Sequence, residues 1–292
     1  MYKRQLLKSA NYSLEYSKIM GKNRMTVFSR DILADRERRL ELLELLRESV
    51  ERGFAGFTIH YQPQVDTVSG RLCGAEALAR WHCTKYGDVS PGEFIPLMEQ
   101  SGLIIPFGQW ILSRGMAQCL EWCRFRPDFQ ISVNLSYIQL AQGDFISFLR
   151  TALEEHSLAP SKIILELTET YLAKAEEDTL RMIAQMKELG VKIAMDDFGV
   201  GYSSLFSLKS IPVDVVKIDR GFVKGITSDL FNATFIRSIT DLCHDVGRKV
   251  CLEGVETEEE YEAVRELGME YIQGYYFGRP MSARQFEDRL KE

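Results

Sequence analysis

Eight short β-rich runs recur between residues 57 and 273, and amphipathic stretches separate most of them. The runs are FTIHYQPQV, RLCGAEALARW, FQISVN, KIILEL, KIAMD, DVVKI, RKVCLE and MEYIQ. The first two are joined by DTVSG, whose Asp, Ser and Gly suit a turn, so they read as a hairpin. Between the others lie IILSRGMAQCLEWCRF, DTLRMIAQMKELG and NATFIRSITDLCHDVG, the last two stopped by glycine. Strand–helix alternation repeated this often predicts an α/β fold with a mainly parallel sheet. Eight strands over this length suit a (β/α)8 TIM-like barrel, typically about 250 residues. The opening hairpin makes one strand antiparallel, so the barrel is expected to be irregular.

The polar residues fall at one place in this pattern. FQISVN ends in Asn134, KIILEL carries Glu166 and is followed by Glu169, and KIAMDD ends in Asp196 and Asp197. VVKID supplies Lys217 and Asp219, KVCLEGVE supplies Glu253 and Glu256, and YIQ ends in Gln273. Any one of these could be a loop residue or a helix N-cap. As a set they sit where barrel strands converge on the face that carries active sites. Four or more carboxylates cannot all ionise in a small space without cations. Oxygen-only ligation, with Asn and Gln among the donors, points to Mg2+ or Mn2+, with Ca2+ as a competitor. Two such ions about 3.5–4 Å apart are a standard device for cleaving phosphodiesters. Adjacent residues of a regular strand face opposite sides, so Asp196 and Asp197 are expected to share a site only where the strand stops, before Phe198–Gly199. A lone lysine on a barrel strand could form a Schiff base. Acidic neighbours instead favour a protonated Lys217 that contacts phosphate or orients water.

Other chemistries find no support. A formal net charge of −6 over 292 residues gives no basic face for a nucleic acid polymer, although local cations could still hold a small phosphate ligand. The most apolar run, GLIIPFGQWIL, falls short of the ~20 residues of a membrane span, and MYKRQLLKSANYS lacks an apolar signal core. The six cysteines, Cys73, Cys83, Cys119, Cys123, Cys243 and Cys251, form no CxxC and read as buried, reduced thiols of a cytoplasmic protein. The four histidines show no metal-ligand spacing, and GxGxxG and Walker patterns are missing.

Glu76-Ala77-Leu78 stands within GAEALARW, after YQPQVD, and SVNLS, ELTE, DDFGVGYSSL, VDVVKIDRGFV, EGVET and QGYYFGRP follow in order. This ordered set resembles the EAL-domain family, the bacterial phosphodiesterases that linearise cyclic di-GMP to pGpG. The resemblance covers about residues 48–292. It implies Glu76, Asn134, Glu166, Asp196 and Asp197 as ligands of two Mg2+ or Mn2+ ions, with Ca2+ inhibitory. Glu253 is implied as a ligand or the general base, and Lys217 as the residue beside the attacking water. Arg80 and Gln62 resemble residues that hold the substrate's phosphates and base, with Asp219 and Gln273 on the same substrate side. Glu256 supports the site, and Glu169 with Ser203 resembles the pair that pins the loop after Asp197. The departures from the family pattern are Val200, Leu252 and Gln64, the last where an apolar residue is frequent. A homodimer is expected, formed partly through DDFGVGYSS and the apolar segment Leu205–Leu208.

The first residues carry a second resemblance. LLKSANYSLEYSKIMGKNRMTVF is similar to the last helix and strand of a GGDEF domain, the diguanylate cyclase fold often found before EAL. Residues 1–30 are therefore expected to be such a remnant, 31–47 a helical linker and 48–292 the EAL domain, with a GGDEF or sensory domain upstream in the full-length protein. Two other readings stay open: a catalytically silent cyclic di-GMP receptor, and a metal-assisted or Schiff-base barrel enzyme acting on a sugar or carboxylic acid.

Overall fold

The computed structural model describes residues 2–19, 23, 25–141, 144–173, 177–200 and 205–291. The chain divides into two units, residues 1–56 with 81–103 and residues 57–80 with 104–292.

Among the described residues ten strands form one sheet: β1 (Phe57–Asp66), β2 (Leu72–Cys83), β3 (Gly87–Val89), β4 (Gln130–Asn134), β5 (Ile163–Thr168), β6 (Lys192–Phe198), β7 (Val215–Ile218), β8 (Lys249–Glu253), β9 (Tyr271–Gln273) and β10 (Met281–Ser282). Their order is β10-β1-β9-β8-β7-β6-β5-β4-β2-β3, and a further β1–β2 pairing closes a barrel of eight. From β2 through β4 to β9 every neighbour is parallel, whereas β1 runs antiparallel to β9. The expected irregular barrel with its antiparallel strand is what forms. Its eight strands are the eight β-rich runs; β3 and β10, at three and two residues, are too short to leave a pattern in the sequence.

The strands read as near-continuous apolar runs because helices cover their outer faces. Every residue of β7 is buried, as are the first five of β5. The helix Ile104–Cys123 approaches closely through Gly115, where a Cβ would stand 3.5 Å from Val133. The final helix, Ala283–Leu290, docks by stacking Phe286 on Trp122 with centroids 4.4 Å apart, and Tyr61 meets Trp122 edge-on at 4.7 Å. All six cysteines are free thiols.

In the smaller unit, the helix Arg30–Glu51 starts at Ser29, whose Oγ accepts from Ile32 N, and buries Leu42 and Leu46. Trp81 donates from Nε1 to Ser49 Oγ at 3.3 Å and meets Phe94 edge-on at 5.9 Å. The helix expected near the N-terminus spans Tyr2–Ile19. At the end of the stretch that resembles the last helix and strand of a GGDEF domain, residues 25–28 form no strand. The expected linker helix runs past residue 47 to Glu51. Among the described residues no helix is long and apolar enough to cross a membrane.

The join between β8 and β9 is tight, because Gly254 N and Val255 N both donate to Gln273 O, at 2.8 and 3.3 Å. A Cβ on Gly274 would lie 2.0 Å from Val255 O, and backbone on both sides cannot yield. Gly274→Ala is therefore expected to destabilise the fold by about 2 kcal/mol. Thermal unfolding should show a midpoint several degrees lower; an unchanged midpoint would contradict the packing described.

Candidate active site

The barrel's parallel strands carry their acids to one mouth, and there the residues meet on a lysine. The Lys217 ammonium, on β7, is almost fully buried. It lies 2.7 Å from Glu253 Oε1, 2.8 Å from Glu166 Oε2, and 3.3 Å from both Glu76 Oε2 and Asp196 Oδ1. These contacts join β2, β5, β6, β7 and β8. Burial opposes the lysine's charge, but the four carboxylates outweigh it and hold its pKa well above the ordinary value. Burial also acts against Glu76, yet Lys217 and the amides of Gln273 and Asn134 keep that carboxyl below its usual range. Glu166 goes the other way, raised well above the usual range by burial and by the charge of Glu76. Burial lifts Glu253 to about 8 against the pull of Lys217.

The two aspartates answer differently from expectation. The strand does not stop between them and Phe198; β6 continues through Phe198. Its register against β7 shifts between Met195 and Phe198, and Asp197 has φ +56°, in the left-handed region. A bulge with one residue in that region breaks the strict alternation of faces, so the two carboxylates need not point to opposite sides. Asp197 N donates to Asp196 Oδ1 at 2.9 Å. Asp197 itself is exposed at the mouth, but loss of hydration, then the charges of Asp196 and Asp219, still raise its carboxyl. Beyond the bulge, Gly199 N donates to Glu169 Oε2 at 3.0 Å. Gly199 has φ +99°, and a Cβ there would meet the Phe222 ring at 2.3 Å. Ser203, the expected partner of Glu169, lies outside the described residues.

Amides flank the acids. Asn134 Nδ2 donates to Glu76 Oε1 at 2.7 Å, and Gln273 Nε2 donates to Glu76 Oε2 at 2.7 Å and Gln62 Oε1 at 3.1 Å. The cleft above is lined by Gln62, Glu76, Leu78, Asp196, Arg220, Glu253, Gly254, Glu256, Gln273, Gly274 and Tyr275. Three further residues singled out in the sequence stand at or near this cleft with the following bonds. Arg80 is half-buried and donates from Nη1 to the neighbouring Ala79 O. Asp219 caps a short 3-10 turn by accepting from Gly221 N at 2.7 Å. Glu256 lines the cleft but is exposed, and its backbone N–H donates to Glu260 Oε2. Arg220 and Tyr275 were missed by the sequence reading. Arg220 directly follows the Asp219 of KIDRG, and Tyr275 opens the YYF run after Gln273-Gly274, so both adjoin residues already singled out. Arg220 is held against Gly254, where a Cβ would lie 2.1 Å from Arg220 Cβ.

The EAL domain pattern matches residues 44–280. The chain belongs to the EAL domain family. It is 38% identical over 282 residues to the bifunctional diguanylate cyclase/cyclic di-GMP phosphodiesterase MucR of Pseudomonas aeruginosa, covering 96% of this chain and 41% of that protein. It is 32% identical over 288 residues to the cyclic di-GMP phosphodiesterase NbdA of the same organism, covering 98% of this chain and 36% of that one. The chain thus spans about two fifths of the length of these relatives. A solved PaMucR phosphodiesterase in complex with c-di-GMP is 40% identical and superposes with a TM-score of 0.78, over 84% of this chain and 99% of that one.

Phosphodiesterases of the EAL family generally depend on divalent metal. Among the described residues of this EAL domain no three His, Cys, Asp or Glu stand as a ready-made metal cluster; the acids converge on an ammonium. The donor set still fits a hard divalent cation. It is all oxygen, and Glu166 Oε1 is buried without a hydrogen-bond partner, a lone pair that a cation could take up. Removing the ammonium should leave the acids mutually uncompensated. Lys217→Met is expected to destabilise the metal-free protein by about 3–5 kcal/mol, the range for a buried ion pair that loses one partner. Denaturant unfolding in a chelator measures this; unchanged stability would contradict a central role for the ammonium.

Proposed function

We propose that this EAL domain hydrolyses one phosphodiester bond of cyclic di-GMP to give linear pGpG, ending a bacterial second-messenger signal. The observation that carries the reading is Lys217 held among Glu76, Glu166, Asp196 and Glu253 at the mouth of an EAL barrel. The likeness to a phosphodiesterase solved with c-di-GMP supports the substrate.

Glu76, Asn134, Glu166, Asp196 and Asp197 would hold two Mg2+ or Mn2+ ions. Bound cations there would lower the pKa of a water and neutralise charge on the phosphate. The chain's own groups do the remaining work. Lys217 donates hydrogen bonds, fixing the direction from which water approaches phosphorus. Glu253, 2.7 Å from that ammonium, takes the proton as the water oxygen bonds to phosphorus and the P–O3′ bond breaks. The departing 3′ oxygen takes a proton from solvent, Glu253 later returning its own to solvent, and a 5′-phosphate remains on the linear product. Gln62, Gln273 and Tyr275 present amide and aromatic surface to a guanine, while Arg80 and Asp219 flank the mouth. The cleft measures about 230 Å3, below the ~300–1,000 Å3 of pockets that enclose a drug-sized ligand. A cyclic dinucleotide would therefore lie partly across the open mouth. A homodimer through the loop after Asp197, an upstream GGDEF or sensory domain, and a cytoplasmic location complete the proposal.

Incubation with cyclic di-GMP and Mn2+, followed by chromatography, should yield pGpG; substrate bound but uncut would favour the receptor reading. Asp197→Asn keeps an oxygen donor but loses a charge, so turnover should fall by more than the ~10²–10³ typical of one lost stabiliser. Affinity for cyclic di-GMP should change far less, and wild-type turnover at low Mn2+ would show that Asp197 holds no cation. Calcium prefers bonds of about 2.3–2.6 Å against 2.0–2.1 Å for magnesium. Added to the magnesium enzyme it should inhibit, and equal turnover with Ca2+ alone would count against the mechanism.

A further inference from the structure

We infer that Gln64 is a positioning residue of this site, acting on Glu76 through the side chain of Gln273. Gln64 and Gln273 are direct cross-strand partners of β1 and β9, and both are buried. Gln64 Nε2 donates to Gln273 Oε1 at 2.9 Å, and Gln273 Nε2 donates to Glu76 Oε2 at 2.7 Å. The direction of this relay is fixed at its far end. An ionised carboxylate only accepts, so Gln273 must turn its NH2 toward Glu76 and its carbonyl toward Gln64. Gln64 must then supply the donor. Its amide also stands 3.5 Å from Ser132 Oγ, on β4. The absence of a side chain at Gly74 makes the room, since a Cβ there would lie 3.0 Å from Gln64 Oε1.

An apolar residue at 64 would remove the donor and leave Gln273 Oε1 buried without a partner. The Gln273 amide would then be held only through its NH2, by Glu76 and Gln62, with nothing fixing its carbonyl end. Glu76 is one of the acids that would hold a cation, so its geometry would loosen without any ligand being changed. Partners that orient a ligand in this way typically matter by about 10–100-fold in metal affinity.

The inference rests on the cation-dependent reading of the site, and its test needs no turnover. Mn2+ affinity is measured by calorimetry on the purified chain, without substrate. Gln64→Leu and Gln64→Met are each made alone and in a Gln273→Leu background, with circular dichroism to show the fold retained. Either Gln64 variant alone should weaken Mn2+ binding by about 10-fold, with no further loss once Gln273 is already leucine. Unchanged affinity in a folded Gln64 variant would overturn the inference. So would an equal loss in both backgrounds, which is the signature of independent packing rather than action through Gln273. Wild-type protein that bound no Mn2+ would instead overturn the cation reading itself, and the relay's role with it.

Discussion

One ammonium stands within 2.7–3.3 Å of four carboxylates, so the Lys217 site can hold at most four negative charges against one positive. Such an imbalance in a largely buried cluster has two resolutions, protonation or further cations. The metal-free protein shows the first, in the raised pKa of Glu166 and Glu253. The second is the working state that family membership and the oxygen-only donor set support. The barrel makes either possible, because parallel strands deliver side chains from β2, β5, β6, β7 and β8 to one point. No single helix or hairpin could assemble that group.

The acids alone would repel one another out of position, and the structure holds them by other means. Asn134 and Gln273 each donate to one oxygen of Glu76, fixing the plane of its carboxylate. The bulge in β6 brings Asp197 beside Asp196, and Glu169 anchors the chain just past it through Gly199. Phe222 packs where a side chain at 199 would be, and stacks on Phe235 with centroids 4.1 Å apart. Gly199 is thus seated on an aromatic layer.

The eight barrel strands were legible because buried parallel strands announce themselves as apolar runs, and the acids because they terminate those runs. What stayed hidden depends on contacts between residues distant in sequence. Gln64 looked like a polar intrusion in an apolar position until its partner, Gln273, arrived from the other end of the chain. Arg220 lines the cleft although no motif singles it out, and it stands there because the fold brings Gly254 against it. The Asp196–Asp197 pair was placed at a strand end because alternation forbids it elsewhere. A left-handed residue within the strand is the exception that periodicity cannot express. Residues 25–28, at the end of the GGDEF-like stretch, form no strand, since a strand needs a neighbour to pair with and they pair with none of the described strands.

The claim on which the account turns is that the carboxylates around Lys217 form a cation site. Anomalous X-ray scattering from crystals grown with MnCl2 and a non-hydrolysable cyclic di-GMP analogue tests it most directly. The expected result is manganese density bounded by oxygens of Glu76, Asn134, Glu166 and Asp196, with Asp197 at a second peak. Crystals at full manganese loading with no peak there, and Lys217 still the only cation among the four acids, would contradict it.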